Sequence, residues 1–281
     1  MKKQVYLKSV NELEDLDRFK VLLVFNGHFS LTLPFDFVQF YDFSNYPTMQ
    51  QVMNGCQIYL DNKCEIIVAV GGGSTIDVAK GIKQQVQASQ LICVPTTAGS
   101  GSEANGLAYF YDDKKRTVLK DDDLIADFVV FQASFLSELP LYQKRDSWLT
   151  ALSQSIMALN SQQLNKDNEQ VAEYALKTLM KLKNRYLKNS ESSFEEILLA
   201  SYYAGQVHHM TSEDFPYDIM DELITLGLGY GHASVLTIID KAYFDPTVLN
   251  IMGVENQQEA IMYLNSCLNE FDLVSMEDIK M

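Results

Sequence analysis

The first half of the chain alternates short apolar runs with longer segments in which apolar residues recur every three or four positions. Short continuous runs are typical of buried strands, and the recurring spacing is typical of helices. The predicted strands cover residues 19–25, 37–43, 65–70, 91–94 and 128–131. Strands that alternate with helices predict a parallel sheet wrapped by helices, with a ligand crevice at the carboxyl ends of the strands.

After Pro140 the strand signals stop. Helical spacing continues at residues 147–160, 169–188, 194–209 and 218–226, and again from 233. The pattern therefore predicts an α/β, Rossmann-like dinucleotide-binding domain over residues 1–140 and an all-helical domain over residues 141–281. A hairpin is predicted inside the first domain, with strands at 107–111 and 117–120 joined by a turn at 112–115.

Three consecutive glycines, Gly71, Gly72 and Gly73, follow the apolar run at 65–70. Ser74 is predicted to cap the next helix, with Asp77 as its capping-box partner. A strand, a glycine turn and a helix N-terminus together point backbone N–H groups at an anion such as a phosphate. The alternative is a glycine turn that only redirects the chain.

A second candidate loop follows the strand at 91–94. It reads Pro-Thr-Thr-Ala-Gly-Ser-Gly-Ser-Glu, and it contributes the hydroxyls of Thr96, Thr97 and Ser100. The pair of motifs GGGS-x-x-D-x-A-K and P-T-T-A-G-[ST]-G-S-E resembles the iron-containing (group III) alcohol dehydrogenase superfamily. The resemblance implies the dehydroquinate synthase-like fold of that superfamily. Segments 41–47, 139–144 and 231–233 look most like its phosphonoacetaldehyde reductase branch.

The resemblance implies a dinucleotide cofactor, NAD or NADP. Its pyrophosphate is expected on Gly72, Gly73 and Ser74, with the hydroxyls of the second loop completing the pocket. Asp77 is counted among the cofactor-site residues because in relatives it reaches the edge of the cofactor, although here it is expected to brace the helix rather than to touch the ligand. Asn26 carries no charge that would repel a 2′-phosphate, so the choice between NAD and NADP stays open.

Compared with the superfamily, the chain looks shortened in two places. The connection between the first two predicted strands is short, so one crossover helix is expected to be missing. The helical domain is expected to be truncated at its end.

The superfamily holds its metal with one Asp and three His from the helical half. By this resemblance the matched positions are Thr150, Gln154, Tyr217 and Tyr230. These residues offer no carboxylate and no imidazole, and only Gln at the second position has precedent in the phosphonoacetaldehyde reductase branch. Iron and zinc need carboxylate, imidazole or thiolate ligands, so we expect the family metal to be absent.

A substitute metal site is one alternative. Asp214, Asp218 and Asp221 would share a helix face if a helix continued through Pro216, although such a row is typical of a solvated surface as well. The chain has four histidines, His28, His208, His209 and His232. Adjacent histidines on a helix point about 100° apart, so His208 and His209 cannot chelate one ion together. The acidic run at 121–123 is expected to be solvated.

Without a metal, an acid must stabilise the alkoxide that forms when a carbonyl is reduced. Tyr217, Tyr230 and His232 are the candidates, and a structural hydrogen bond is the alternative role for His232. Three hypotheses follow from the sequence. They are a metal-free NAD(P)-dependent aldehyde reductase, a nucleotide-binding pseudoenzyme with a regulatory or structural role, and different chemistry on the same scaffold.

Composition narrows the choice of partners. The 281 residues carry a net charge of −15, which disfavours nucleic acids and anionic membranes as partners. The four cysteines show neither paired nor metal-type spacing, so reduced thiols in the cytoplasm are expected. Neither a signal peptide nor a long apolar run is predicted. The expected partner is a small aldehyde or alcohol, and a homodimer stays open.

Overall fold

The computed structural model describes residues 3–27, 31–112, 115–161 and 163–280. The chain forms two compact units. The first unit contains Met1–Thr97 and Gly101–Leu139, and the second contains Ala98–Ser100 and Pro140–Met281.

The first unit is built on a parallel sheet. In the described residues its strands lie in the order β1-β8-β5-β4-β2-β3, and every neighbouring pair is parallel. The strands are β1 (Val5–Leu7), β2 (Val21–Val24), β3 (Phe37–Phe40), β4 (Ile66–Gly71), β5 (Gln90–Pro95) and β8 (Phe128–Val130). Two further strands, β6 (Leu107–Asp112) and β7 (Lys115–Lys120), form an antiparallel hairpin. Its predicted turn lies partly outside the described residues.

Strand β4 lies in the middle of this sheet, between β5 and β2. All six of its residues are buried. Burial on both faces requires the continuous apolar sequence that predicted this strand. Helix α1 (Met49–Asp61) precedes β4 and helix α2 (Gly73–Val86) follows it. The glycine turn therefore lies at the carboxyl end of a central parallel strand, as predicted.

The connection between β2 and β3 contains no helix within residues 25–27 and 31–36, the part of it that the structure describes. A 3₁₀ segment, Val10–Arg18, packs against the apolar cluster that includes Phe25 and Phe35. Its own contribution is Val10, Leu13 and Leu16. A segment before β2 thus supplies apolar cover that a crossover helix would otherwise give.

The second unit is helical. Its helices are α3 (Leu141–Asn160), α4 (Lys166–Leu187), α5 (Phe194–Thr211), α6 (Tyr217–Thr225), α7 (Tyr230–Lys241), α8 (Pro246–Met252), α9 (Gln257–Glu270) and α10 (Met276–Lys280). Together with the parallel sheet, this arrangement confirms the predicted fold class. Helix α3 begins at Leu141 rather than at 147, and α7 begins at Tyr230 rather than at 233. The polar residues 143–146 and the glycine at 231 interrupted the apolar pattern and hid both starts.

The four cysteines, Cys56, Cys64, Cys93 and Cys267, are free thiols and all are buried. Three belong to the first unit and Cys267 belongs to the second. Among the described residues, no helix is both long enough and apolar enough to cross a membrane.

Candidate functional site

The N-terminus of α2 is open. Gly72 is its N-cap and has no side chain with which to cap the helix. The prediction that Ser74 is the N-cap and Asp77 its capping-box partner is therefore wrong. Glycine is among the residues that serve as N-caps, and the Ser74 hydroxyl instead donates a hydrogen bond to the carbonyl of Asn45 at 2.5 Å. The first backbone N–H groups of α2 are left for an anion.

The two candidate cofactor loops of the first unit meet at Gly72. A Cβ atom at Gly72 would lie 3.0 Å from Oγ1 of Thr97 and 3.1 Å from its Cγ2. The backbone N–H of Thr96 donates to the carbonyl of Gly71 at 3.0 Å. The glycine turn and the start of the hydroxyl-rich loop are thus adjacent. Ser100 is grouped with the second unit.

Asp77 points into the interior of the first unit. Its carboxylate accepts hydrogen bonds from Oγ of Ser102 at 2.6 Å and from the backbone N–H of Tyr109 at 3.1 Å. Burial raises its pKa, and the neighbouring Lys80 acts in the opposite direction. Asp77 therefore ties α2 to the segment that follows the hydroxyl-rich loop.

Lys80 lies one turn further along α2 and is fully buried. Its ammonium donates to the carbonyl of Ser102 at 2.6 Å, Oγ of Ser102 at 2.9 Å, Oδ1 of Asn105 at 3.1 Å and the carbonyl of Leu107 at 2.6 Å. Burial lowers the pKa of Lys80 to about 8. The sequence motif that contains Lys80 does not indicate these partners.

Glu103 is the other buried charge of this region. Burial raises the pKa of its carboxyl to about 7, and Lys80 counteracts this rise only in part. Within the described residues, Oε1 of Glu103 has no hydrogen-bond partner. The interior between α2 and residues 102–109 therefore holds two groups whose protonation depends on pH near neutrality.

In the second unit, two of the four matched metal positions lie on α3. The hydroxyl of Thr150 donates to the carbonyl of Asp146 at 2.9 Å. Gln154 is buried, and its Oε1 has no partner among the described residues. Oε1 of Gln154 is thus a buried acceptor on α3 without a hydrogen bond in the described residues.

Asp146 is a residue that sequence analysis missed. Its Oδ1 accepts hydrogen bonds from the backbone N–H groups of Gly231 at 3.0 Å and His232 at 3.2 Å. Burial raises the pKa of Asp146, while these two donors lower it. The carboxylate therefore caps α7. A Cβ atom at Gly231 would lie 2.0 Å from the carbonyl oxygen of Asp146, so α3 and α7 touch through their backbones.

His232 is held by its own hydrogen bond. Its Nε2 lies 2.7 Å from the carbonyl of Val274, and the ring is almost completely buried. Because a carbonyl only accepts, Nε2 carries the proton. Burial lowers the pKa of His232. This geometry matches the structural alternative for His232.

Tyr217 meets a histidine. Its hydroxyl lies 2.9 Å from Nε2 of His208, which is buried at the end of α5. The ring of Phe215 packs against Tyr217, with centroids 4.7 Å apart. The sequence did not indicate this contact, because the turn that returns α6 to α5 is a tertiary feature. This Tyr217–His208 pair is the clearest acid–base arrangement in the second unit.

The two matched tyrosines lie toward opposite ends of α7. Tyr230 begins that helix. Met220 of α6 contacts Ser234, and Pro216, just before Tyr217, lines the same cavity as Ile238. Ile238 lies eight residues after Tyr230, about 12 Å along the helix axis. Tyr217 and Tyr230 therefore do not converge.

The helix proposed to align three aspartates does not exist. A 3₁₀ turn ends at Asp214 and α6 begins only at Tyr217, because Pro216 interrupts the helix. Asp214 instead accepts hydrogen bonds from Ser161 at 2.5 Å and Gln163 at 3.0 Å. The expected common face with Asp218 and Asp221 is wrong. In the described part of the chain, no three His, Cys, Asp or Glu side chains form a metal-type group.

The donors at the matched positions do not fit the family metal. Thr150 offers a hydroxyl, Gln154 an amide oxygen, and Tyr217 and Tyr230 offer phenols that stay protonated near neutral pH. Iron and zinc sites need several carboxylate, imidazole or thiolate ligands. The prediction that the metal is absent stays a prediction.

A cavity of about 630 Å³ opens on the second unit beside Pro216. Its lining includes Met157, Ser161, Asp214, Ile238 and Lys241. It combines apolar walls with one carboxylate and one ammonium group.

Comparison with known proteins shows similarity to one family over part of the chain. The family model for iron-containing alcohol dehydrogenase matches residues 11–133. The 4-hydroxybutyrate dehydrogenase of Clostridium kluyveri is 27% identical over 183 residues, covering 57% of this chain and 48% of its own length. The NAD-dependent methanol dehydrogenase of Bacillus methanolicus is 26% identical over 184 residues, covering 57% and 47%. The matches thus span about half the length of these curated relatives.

Solved structures share the fold. Sulfoacetaldehyde reductase from Bifidobacterium kashiwanohense in complex with NAD⁺ superposes with a TM-score of 0.83 at 18% identity, covering 100% of this chain and 88% of that one. Maleylacetate reductase from a Rhizobium strain gives 0.81 at 18% identity with the same coverage.

Proposed function

We propose that this protein is an NAD(P)-dependent reductase of small aldehydes that works without the family metal. It belongs to the iron-containing alcohol dehydrogenase superfamily, because residues 11–133 carry the sequence pattern of that superfamily and the described chain has its fold. The observation that carries this proposal is the hydrogen bond of 2.9 Å between Tyr217 and His208.

The residues of the glycine turn fit a dinucleotide. Gly72, Gly73 and Ser74 would hold the pyrophosphate at the uncapped N-terminus of α2, with Thr96 and Thr97 beside them. The nicotinamide supplies hydride when bound. NAD binding by the sulfoacetaldehyde reductase neighbour supports the same role here. Asn26 donates to the carbonyl of Phe43, and its neutral amide leaves NADP as open as NAD.

The proton is assigned to Tyr217. A phenol is a weak acid, so it holds its proton at neutral pH and can give it to an oxygen that gains negative charge. His208 Nε2 contacts the hydroxyl and can return a proton to it. Two side chains of the second unit thereby replace the Lewis acid of the family mechanism.

A short aldehyde with an anionic tail is the proposed substrate class, including phosphonate-bearing aldehydes. The compounds named for three relatives, 4-hydroxybutyrate, sulfoacetaldehyde and maleylacetate, each carry an acid group, which supports the anionic tail. The cavity beside Pro216 contains Lys241, which suits an anionic tail. Asp214 in the same cavity is engaged by Ser161 and Gln163.

A nucleotide-binding pseudoenzyme is the second candidate. It is favoured by the second unit's use of its polar groups for structure. Asp146 caps α7, Thr150 bonds to its own helix, and His232 bonds to Val274. Such a protein would bind NAD(P)H and reduce nothing.

The test is reduction of a panel of short aldehydes, with and without an anionic tail, followed by loss of NAD(P)H absorbance. Tyr217→Phe should lower kcat about 100-fold, the usual size of a general-acid effect, and leave NAD(P)H affinity unchanged. Tyr230→Phe is the matched control, because Tyr230 lies at the other end of α7, and it should retain kcat. NAD(P)H binding without reduction of any aldehyde favours the pseudoenzyme. Equal losses from the two variants contradict the assignment of Tyr217.

A further inference from the structure

Residues 101–109 follow the hydroxyl-rich loop and have their polar groups turned toward α2. Four oxygen atoms of Ser102, Asn105 and Leu107 surround the ammonium of Lys80. An ammonium has three hydrogens, so every one of them is engaged and one is shared. A buried cation with this many oxygen partners fixes the positions of those partners closely, because releasing any of them costs a desolvated hydrogen bond.

Lys80 and Asp77 act on the same residue. They are three positions apart on α2 and therefore share a face of that helix. Oγ of Ser102 donates to Asp77 at 2.6 Å and accepts from Lys80 at 2.9 Å. Asn105 extends the arrangement, because its amide donates to the carbonyl of Gly101 at 3.2 Å and its oxygen accepts from the N–H of Leu107 at 2.9 Å.

The same helix begins at the glycine turn. Helix α2 starts at Gly73, and Lys80 lies seven residues later, about 10.5 Å along the axis. At its N-terminus, α2 meets Thr97 through Gly72. Residues 96–97 and residues 101–109 are thus the two sides of one loop that contact α2 at two places.

We propose that Lys80 is a positioning residue for the cofactor site, whose buried ammonium holds the Gly101–Leu107 segment on α2 and thereby sets Thr96 and Thr97 against the glycine turn. This inference rests on the proposed cofactor site. It does not depend on the proposed reductase reaction. Lys80 touches no ligand in this scheme, so its effect is on affinity for the dinucleotide.

Lys83 provides a matched control. It lies on the next turn of α2 and is nearly as buried, but its ammonium bonds to the carbonyl of Asp123 at 2.8 Å and to the carboxylate of Asp127 at 3.3 Å. Methionine replaces either side chain with an apolar one of similar length. Both variants lose a buried cation, and only Lys80→Met releases the segment that leads from the hydroxyl-rich loop.

The experiment measures the Kd for NADH and NADPH by fluorescence at a temperature where each variant is folded, together with the denaturant midpoint. We expect Lys80→Met to raise Kd at least tenfold and Lys83→Met to leave Kd within twofold, although both lower the midpoint. Hydrogen exchange of the unliganded protein should rise at the amides of residues 101–107 in Lys80→Met alone.

A milder variant covers the case in which Lys80→Met does not fold. Ser102→Ala removes the hydroxyl that bridges Lys80 and Asp77, and it should raise Kd several-fold with the fold intact. The inference is overturned if folded Lys80→Met binds with a Kd within twofold of the parent. If Lys80→Met is unfolded, the same result in Ser102→Ala overturns it. An equal rise in the Kd of Lys83→Met also overturns it. If the parent binds neither NADH nor NADPH, the inference falls together with the cofactor site. Failure of aldehyde reduction with normal NAD(P)H binding contradicts the reductase proposal alone.

Discussion

Two α-helices in the described residues begin directly after glycine, and their first turns are used differently. Helix α2 follows Gly72, which has no side chain to cap it. Helix α7 follows Gly229, and the carboxylate of Asp146 accepts hydrogen bonds from the N–H groups of Gly231 and His232. The N-terminus of α2 can therefore bind a negatively charged group of a ligand, whereas the N-terminus of α7 already binds the carboxylate of Asp146.

The difference shows what a glycine before a helix requires. At Gly72 a Cβ would press on the side chain of Thr97, next to the space where a phosphate would lie. At Gly229, before α7, a Cβ would lie 2.5 Å from Oδ1 of Asp146, and at Gly231, the second residue of α7, it would meet the backbone of Asp146. The glycine before α2 leaves room for a ligand, and the glycines at the start of α7 leave room for a neighbouring helix. The same local sequence signal therefore has a binding role in one unit and a packing role in the other.

Replacing the first of these glycines should have the largest effect. In Gly72→Val the branched side chain would crowd Thr97 and cover the N–H groups of α2. We expect NAD(P)H affinity to fall at least 100-fold, to the limit of fluorescence detection, and Gly73→Val should do the same. Circular dichroism checks that each variant is folded. Affinity equal to that of the parent would place the cofactor elsewhere.

The corresponding change in the second unit should cost stability and spare NAD(P)H binding. In Gly231→Ala the new Cβ lies 2.0 Å from a backbone oxygen, and overpacking of this kind costs about 1–3 kcal/mol. The gain in helix propensity is at most about 1 kcal/mol. We expect a net loss of roughly 1–2 kcal/mol in the free energy of unfolding, measured with urea. A variant as stable as the parent would contradict the backbone contact between α3 and α7.

The buried charges beneath the first glycine turn should make stability depend on pH. The pKa of Glu103 is raised from 4.5 to about 7, so the folded protein keeps a proton that the unfolded chain loses, and stability falls as pH rises through this window. The pKa of Lys80 is lowered from 10.5 to about 8, so its contribution lets stability recover as pH rises from 8 to 10.5. One unit of pKa shift corresponds to about 1.4 kcal/mol.

Urea unfolding from pH 4.5 to 10.5 measures this profile, and Glu103→Gln isolates the acidic part of it. The difference in unfolding free energy between the parent and Glu103→Gln should change by on the order of 1–3 kcal/mol between pH 4.5 and 7. A difference that does not vary with pH would show that Glu103 titrates normally.

The smallest expected effect is at the matched metal positions. Chelators should leave stability and any activity unchanged, and Thr150→Asp alone should recruit no metal, because one carboxylate beside an amide and phenols is too few ligands. Elemental analysis of protein purified without added metal is the measurement. Near-stoichiometric iron or zinc would contradict the prediction and return the metal-dependent mechanism.

The sequence predicted the parts of this protein that depend on local pattern. Strand β4, the glycine turn and α2 follow from an apolar run, three glycines and helical spacing, and the structure places them within one or two residues of the prediction. Strand β1 was missed because three residues carry too little periodicity to detect. The Ser74 cap was wrong because glycine competes well for that position.

The parts that could not be predicted depend on distant partners. Lys80 and Ser102 are 22 residues apart, and Asp146 and Gly231 are 85 apart. Tyr217 and His208 are only nine residues apart, yet their contact depends on the break in the helix at Pro216. The spacing of residues along the chain predicts which of them share a face of a helix. It does not predict which other element packs against that face.

The buried thiols described above give each unit its own internal reporter. A thiol reacts as the thiolate and only when a reagent reaches it, and burial both hides these groups and raises their pKa values. Cys56, Cys64 and Cys93 can be labelled only when the sheet unit opens, and Cys267 only when the helical unit opens. When the labelled sites are identified by peptide mass, the rate of thiol modification in each unit measures how readily that unit opens. The protein needs no added probe for this measurement.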